Sequence, residues 1–390
     1  MNGIERPPVT GAWQEGDPVG WRKFADIGGL ELEFGGQIPA VRVAYETWGT
    51  LNADGNNAVL LEHALTGDAH AAGPSGPGQP TAGWWDTLVG PGRPIDTDRW
   101  FVVCANVLGG CQGTTGPASI HPDGKAWGSR WPRVSVRDQV EVERILADRL
   151  GIRSFSLVIG GSMGGMRALE WAVQHPQRVQ AAVILATTAA ASGDQIATQT
   201  AQVQAITADA NWASGDYYEQ SNGPHAGMQV ARRFAHLTYR TSRELDLRFG
   251  RLAQRGEDAL SSCVTGRHVG AGRFAVQSYL DHHGDKILHR FDPGSYVALT
   301  DCMTTHDVAR GRGSLESVLG SIEIPVRVGG IDTDRLYPLA QQAELADLIP
   351  TCGQLDVIES PFGHDGFLIE ADEVGRIVTE ALADPANSPC

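Results

Sequence analysis

Residues 154–165 read SFSLVIGGSMGG, a run of apolar, β-favouring residues that breaks at a pair of glycines, followed by Ser162 and then by small residues opening a helical pattern. Gly160-Gly161-Ser162-Met163-Gly164 fits G-x-S-x-G, a turn in which the serine sits between a buried strand and a helix. In a chain with 48 glycines among 390 residues the pentapeptide arises by chance roughly 0.3 times, so its position carries the weight. The turn is sharp enough to strain the serine backbone, and flanking glycines remove the Cβ atoms that would clash with strand and helix. It also sets Ser162 at a helix N-terminus, where free N–H groups and the helix dipole favour developing negative charge, and makes the amide of Met163 a ready oxyanion donor. A phosphate cradle at the same place would read G-x-x-x-x-G-K or G-x-G-x-x-G, and neither is present.

Outward from this junction, short β-branched runs alternate with helical patterns. Before it stand VRVAYETWG, NAVLLEHAL, RWFVVCANV and the helical VRDQVEVERILADRLG; after it come a helix from Met163 to His175 and the strand VQAAVILAT. Continuous apolar strands alternating with helices predict a mostly parallel sheet covered on both faces. From residue 189 to 312 the pattern turns helical (IATQTAQVQAITADANW, GMQVARRFAHLTYRT, AVQSYLDHHGDKILHRF) and reads as a cap inserted over the carboxyl edge of the sheet. Sheet character returns with IPVRVGG and GQLDVIES, which gives a core of residues 1–188 and 313–390 interrupted by the cap. The first twenty or so residues, rich in Pro and Gly, read as a loosely held arm without chemistry.

A serine hydroxyl needs a base, usually a histidine held by a carboxylate. In the α/β-hydrolase fold the chain order is Ser, acid, His, in loops after successive strands. After IPVRVGG the loop offers Asp332 and Asp334, of which Asp334 is preferred as the acid and Asp332 as a turn or capping side chain. After LDVIES the loop offers His364, the only histidine beyond His306. The segment after NAVLLEHAL supplies the place of a second oxyanion donor, the amide of Leu65, with His63 read as a packed loop residue. The sequence thus predicts an α/β-hydrolase fold with an inserted helical cap, a triad of Ser162, Asp334 and His364, and an oxyanion hole from Leu65 and Met163.

A formal charge of -15 argues against nucleic acid or an anionic membrane as partner. There is no spanning run and no signal-like N-terminus, which reads as a cytoplasmic protein. The six cysteines (Cys104, Cys111, Cys263, Cys302, Cys352, Cys390) have neither C-x-x-C nor zinc spacing, so reduced thiols and no metal are expected.

With these residues in view the chain resembles the homoserine O-acyltransferases of methionine biosynthesis. The resemblance runs over nearly the whole length and rests on VAYETWGTLN, EHALTGDAH, GGCQGTTGPAS, GGSMGGMRALEWA, ARRFAHLTYR, SYLDHHGDKILHRFDPGSY, GIDTDRLYP and GHDGFL. It implies acyl transfer to the hydroxyl of L-homoserine through a serine acyl-enzyme, the first committed step of methionine biosynthesis, with acetyl-CoA as co-substrate and no resident cofactor. It puts the nucleophile on Ser162, the acid on Asp334 and the base on His364, Arg232 on the substrate carboxylate, Tyr239 at the active site and Asp365 on the substrate amino group. It also implies a homodimer. One cation and one carboxylate beside the nucleophile suit a zwitterionic amino acid. The first cap helix, TQTAQVQAI, and Arg310-Gly311-Arg312-Gly313 at the cap's exit depart from the family pattern. Small apolar residues around HALTG and GGSMGG favour acetyl over succinyl, which would need an added cation. A succinyl donor, a serine acceptor, a serine esterase and a non-catalytic binding protein of the same fold are the competing readings.

Overall fold

The computed structural model describes residues 7–260 and 272–383. Eight strands form the central sheet: β1 (Lys23–Glu31), β2 (Gln37–Trp48), β3 (Ala58–Glu62), β4 (Phe101–Ala105), β5 (Phe155–Gly161), β6 (Ala182–Leu185), β7 (Val326–Ile331) and β8 (Asp356–Ile358). Their spatial order is β1-β2-β4-β3-β5-β6-β7-β8. The first two pairings are antiparallel, and every pairing from β4 to β8 is parallel. In register, Glu62 of β3 faces Gly160 and Gly161 of β5 faces Leu185, so the carboxyl ends of the central strands lie at one edge. Loops leaving β3, β5, β7 and β8 therefore converge there, the place where open α/β sheets hold their ligands.

Side-chain alternation along the strands builds two cores. Leu60, Val103, Val158, Ile184 and Val328 pack on one face with helices α1 (Val136–Leu150) and α2 (Met163–Gln174). Val59, Leu61, Val102, Ile159, Val183 and Leu185 pack on the other with Trp85 and Leu88 and with the last helix, Ala371–Ala383. Helix α1 is started by a capping box between Ser135 and Asp138 and stopped by Gly151 at φ 79°.

Between β6 and β7 the described residues form α3 (Gly193–Thr207), α4 (His225–Tyr239), α5 (Ser242–Arg248), α6 (Ala275–Ile287), α7 (Pro293–Thr304) and the short α8 (Leu315–Leu319). Helix α4 packs between α3 and α6, and α7 packs on α3. A third apolar cluster joins them to the sheet edge, with Met228, Ala231 and Tyr296 of these helices on Leu65, Met163, Met166 and Tyr337. Gly363, at φ 65°, lies so close under α4 that a Cβ there would come within 2.4 Å of the Tyr239 carbonyl. Only glycine lets the helix settle on that loop.

Two features differ from the sequence reading. Strand β1 has no counterpart in it, because most of its residues are exposed and its pairing is broken by two register shifts around Gly28. The N-terminal arm, over its described part, is pinned rather than loose. Thr10 Oγ1 donates to Asp292 at 2.7 Å, the Trp13 amide donates to the Cys111 carbonyl at 2.9 Å, and the buried Arg22 bonds to Gln112 and Gly78. Cys104, Cys111, Cys302 and Cys352 are free and buried, whereas Cys263 and Cys390 lie outside the described residues. Among the described residues no helix is long and apolar enough to cross a membrane.

Candidate active site

Ser162 sits between β5 and α2 at φ 60°, ψ -124°, a conformation that costs a non-glycine residue about 1–3 kcal/mol. Three hydrogen bonds hold it there. Its amide donates to the Leu185 carbonyl at 3.0 Å, and its own carbonyl accepts from Thr187 Oγ1 at 2.9 Å and from the Met166 amide at 3.1 Å. The Cβ is thereby aimed off the sheet edge with the hydroxyl toward His364.

His364 Nε2 lies 2.9 Å from Ser162 Oγ, and its Nδ1 lies 2.6 Å from Asp334 Oδ2. The other carboxylate oxygen, Asp334 Oδ1, accepts the amides of Leu336 at 2.8 Å and Tyr337 at 2.9 Å. With Asp334 accepting at Nδ1, that nitrogen carries the proton and Nε2 is left as the acceptor for the serine hydroxyl. All three side chains are buried, and the imidazole is boxed by the rings of Tyr337, Phe367 and Tyr239 at 5.2, 5.5 and 5.7 Å. Burial works against an imidazolium, but the charge and hydrogen bond of Asp334, with the charge of Asp365, outweigh it and raise the His364 pKa.

Asp332, the other aspartate of the loop, accepts the Ser360 amide at 2.9 Å and so ties the β7 and β8 loops together. It takes no part in the Ser162 chain of hydrogen bonds. His63 is a packed residue: Nδ1–H donates to the Ala64 carbonyl at 2.8 Å and Nε2 accepts the Val107 amide at 3.0 Å. Burial and then the Arg167 charge lower its pKa to about 3, which keeps it neutral.

Leu65 and Met163, the two expected oxyanion donors, belong to the same apolar cluster, and Met163 directly follows Ser162 in the chain. Met163 is the first residue of α2, so its N–H has no intrahelical acceptor. Arg232 of α4 touches the Thr66 hydroxyl at 3.3 Å and lies 5.8 Å from the Tyr239 ring centre, which leaves most of its donor fork unused by these contacts. Asp365 faces the neighbouring Arg240, whose Nε is 3.2 Å from Oδ2. Burial raises the Asp365 pKa, against the pull of Arg240, His364 and Arg232.

Three participants escaped the sequence reading. Tyr337 is fully buried with its phenol beside the Ser162 hydroxyl; burial and the Asp334 charge raise its pKa, and Ser162 pulls it back. Its place in the GIDTDRLYP motif was the available signal. Thr187 fixes the elbow through the Ser162 carbonyl, and Arg240 pairs with Asp365. Arg167, five residues after Ser162 on α2, is buried between Glu62 and Glu143 at 2.6 Å from each.

A family model described as alpha/beta hydrolase fold matches residues 57–371. The chain is 54% identical over 378 residues to a homoserine O-acetyltransferase of Thermobifida fusca (strain YX), which covers 96% of this chain and 97% of that one. It is 54% identical over 357 residues to a homoserine O-acetyltransferase of Mycobacterium tuberculosis (strain ATCC 25177 / H37Ra), covering 92% of each chain. Among solved structures, the homoserine O-acetyltransferase from Bacillus anthracis superposes with a TM-score of 0.83 at 26% identity, over 93% of this chain and 97% of that chain. Esterase E22 superposes with a TM-score of 0.82 at 26% identity, over 93% and 99%.

Proposed function

The chain belongs to the homoserine O-acetyltransferases of the alpha/beta hydrolase fold, and from that premise we propose that it moves the acetyl group of acetyl-CoA to the hydroxyl of L-homoserine through an acetyl-Ser162 intermediate. The observation that carries the reading is the hydrogen-bonded chain Ser162–His364–Asp334, at 2.9 and 2.6 Å, with one cation, Arg232, on the Tyr239 ring that flanks His364 and one carboxylate, Asp365, next to His364 in the chain.

Ser162 Oγ attacks the thioester carbonyl carbon while its proton passes to His364 Nε2. The amides of Leu65 and Met163 receive the negative charge that develops on the carbonyl oxygen. Collapse breaks the C–S bond, and the CoA sulfur leaves with the proton from His364. Neutral again, His364 takes the proton of the homoserine hydroxyl as that oxygen attacks the acetyl-serine carbonyl. The second collapse breaks the bond to Ser162 Oγ, returns the proton to it and releases O-acetylhomoserine. Arg232 grips the substrate α-carboxylate as a planar fork, Asp365 meets its ammonium group, and Tyr239 forms a wall beside His364. Acetyl is favoured over succinyl because Arg167 is consumed by Glu62 and Glu143 and offers nothing to a distal carboxylate. Acetyl-CoA is a co-substrate, and no resident cofactor enters these steps. Homodimerisation through the inserted helices and residence in the cytoplasm complete the proposal; light scattering of the purified protein tests the former.

The esterase reading shares this triad and differs only in the acceptor of the acyl group. Free thiol is therefore followed with acetyl-, propionyl- and succinyl-CoA, each with homoserine, serine or no acceptor. Acetyl-CoA with homoserine should be the fastest pair; release that ignores the acceptor supports an esterase, and succinyl preference overturns the donor assignment.

A further inference from the structure

Arg167 stands on α2 five residues after Ser162, where its neighbours Met166, Ala168 and Leu169 are fully buried apolar side chains. It is itself 0% exposed. Nη1 lies 2.6 Å from both Glu62 Oε2 and Glu143 Oε1, and Nη2 donates to the His63 carbonyl at 2.6 Å. Glu143, on α1, also accepts the Trp171 indole N–H at 3.0 Å. Burial, against the pull of Arg167 and with the push of the nearby Glu143, raises the pKa of the Glu62 carboxyl well above its ordinary range. Dehydrating a guanidinium and two carboxyls is so unfavourable that an apolar replacement is often as stable or more so. Stability alone does not account for the cluster.

Its third contact does. The His63 carbonyl lies two residues before Leu65, in a turn held from other sides by the His63 ring on the Ala64 carbonyl and the Val107 amide, and by the Gly67 amide on the Ala64 carbonyl. Arg167 belongs to the same helix as Met163. Gly164 of that helix packs so tightly on the end of β3 that a Cβ would come within 2.0 Å of the Glu62 carbonyl oxygen.

We propose that Arg167 is a positioning residue for the oxyanion hole, clamping the turn that presents the Leu65 amide to the helix that presents the Met163 amide, so that both donors meet one carbonyl oxygen. A hole of two donors from separate elements works only if their spacing is fixed before charge develops. Lysine could not replace Arg167, because a single ammonium does not span two carboxyls and a carbonyl in fixed directions. The proposal rests on the acetyl-Ser162 reading above.

The test compares wild type with Arg167→Lys and with the charge-balanced double variant Arg167→Met/Glu143→Gln, which removes the cation together with its counter-ion. Three quantities are measured: the melting temperature, kcat and KM for homoserine, and the affinity for an acetonyl-CoA-type trifluoromethyl ketone, whose serine adduct carries the oxyanion. A folded variant should lose about 10- to 100-fold in kcat, a displaced hydrogen-bond donor being the cause. It should lose a comparable factor in ketone affinity while KM for homoserine stays within about twofold. Wild-type kcat in a folded variant, or a kcat loss with unchanged ketone affinity, overturns the positioning role. Failure of both variants to fold overturns it too, by making the cluster a determinant of the fold. A mass-spectrometric acetyl-Ser162 signal in wild type keeps these failures separate from failure of the acyl-enzyme reading.

Discussion

Asp334 offers His364 only one oxygen: Oδ2 sits 2.6 Å from Nδ1 while Oδ1 is fixed by the amides of Leu336 and Tyr337. The carboxylate cannot rotate without breaking two backbone hydrogen bonds, so it dictates the imidazole tautomer. Asp334→Asn keeps the shape but can place an N–H donor against Nδ1, which drives the proton to Nε2 and removes the acceptor for Ser162. The variant should fold normally and lose roughly a thousand- to ten-thousand-fold in kcat. Activity within tenfold of wild type, with an unchanged melting temperature, would mean that Asp334 does not orient the base.

The raised pKa of His364 sets the sign of the acid limb. His364 must be neutral to accept the serine proton, so activity is lost as pH falls through its folded-state pKa, which lies above the ordinary histidine value of about 6.5. The acylation rate followed by thiol release from acetyl-CoA should show a single protonation on that limb. Because the Asp334 charge is a main cause of the rise, Asp334→Asn should move the residual limb to lower pH. A limb that stays put in the variant argues for a different titrating group.

Most of this architecture was legible because it rests on local chemistry. LVIGG and AAVILA are buried on both faces and read as parallel strands, and the Ser, Asp, His order follows once each loop is placed after its strand. Strand β1 was not legible: Gly28 sits at φ 89° beside two register shifts, and alternation is lost in an exposed, glycine-containing edge. The arm read as loose because its anchors, Cys111 and Asp292, lie far along the chain from Trp13 and Thr10. Arg167 illustrates the same limit, since a helix arginine is usually solvated and only the fold brings Glu62 and Glu143 around it.

Among the described residues Arg232 makes one long side-chain hydrogen bond, to Thr66 at 3.3 Å, and in the proposed reading its fork takes the substrate carboxylate. Arg232→Lys should raise KM for homoserine at least about tenfold, since a point charge loses the bidentate geometry, and should leave the KM for acetyl-CoA within about twofold. Equal effects on both substrates would reassign Arg232 to the CoA or to the scaffold.

Asp365 faces Arg240, and under the proposed reading the homoserine ammonium group competes for that carboxylate. Asp365→Asn removes the charge at constant size. Thiol release in the first turnover, which needs no homoserine, should be little changed, while KM for homoserine should rise by about tenfold or more. A first turnover that slows as much as steady-state turnover would place Asp365 in support of His364 instead.

The central claim is a covalent acetyl group on Ser162, and the most direct measurement is rapid mixing of the enzyme with acetyl-CoA alone, followed by quenching and peptide mass spectrometry. The geometry at 2.9 Å between Ser162 Oγ and His364 Nε2 predicts a burst of free thiol close to one per active site and a matching acetyl group on the peptide containing Ser162. Homoserine added next should clear that acetyl group within the turnover time. Thiol release that begins only when homoserine is present, with the Ser162 peptide unmodified throughout, would contradict the account and point to direct transfer between the two bound substrates.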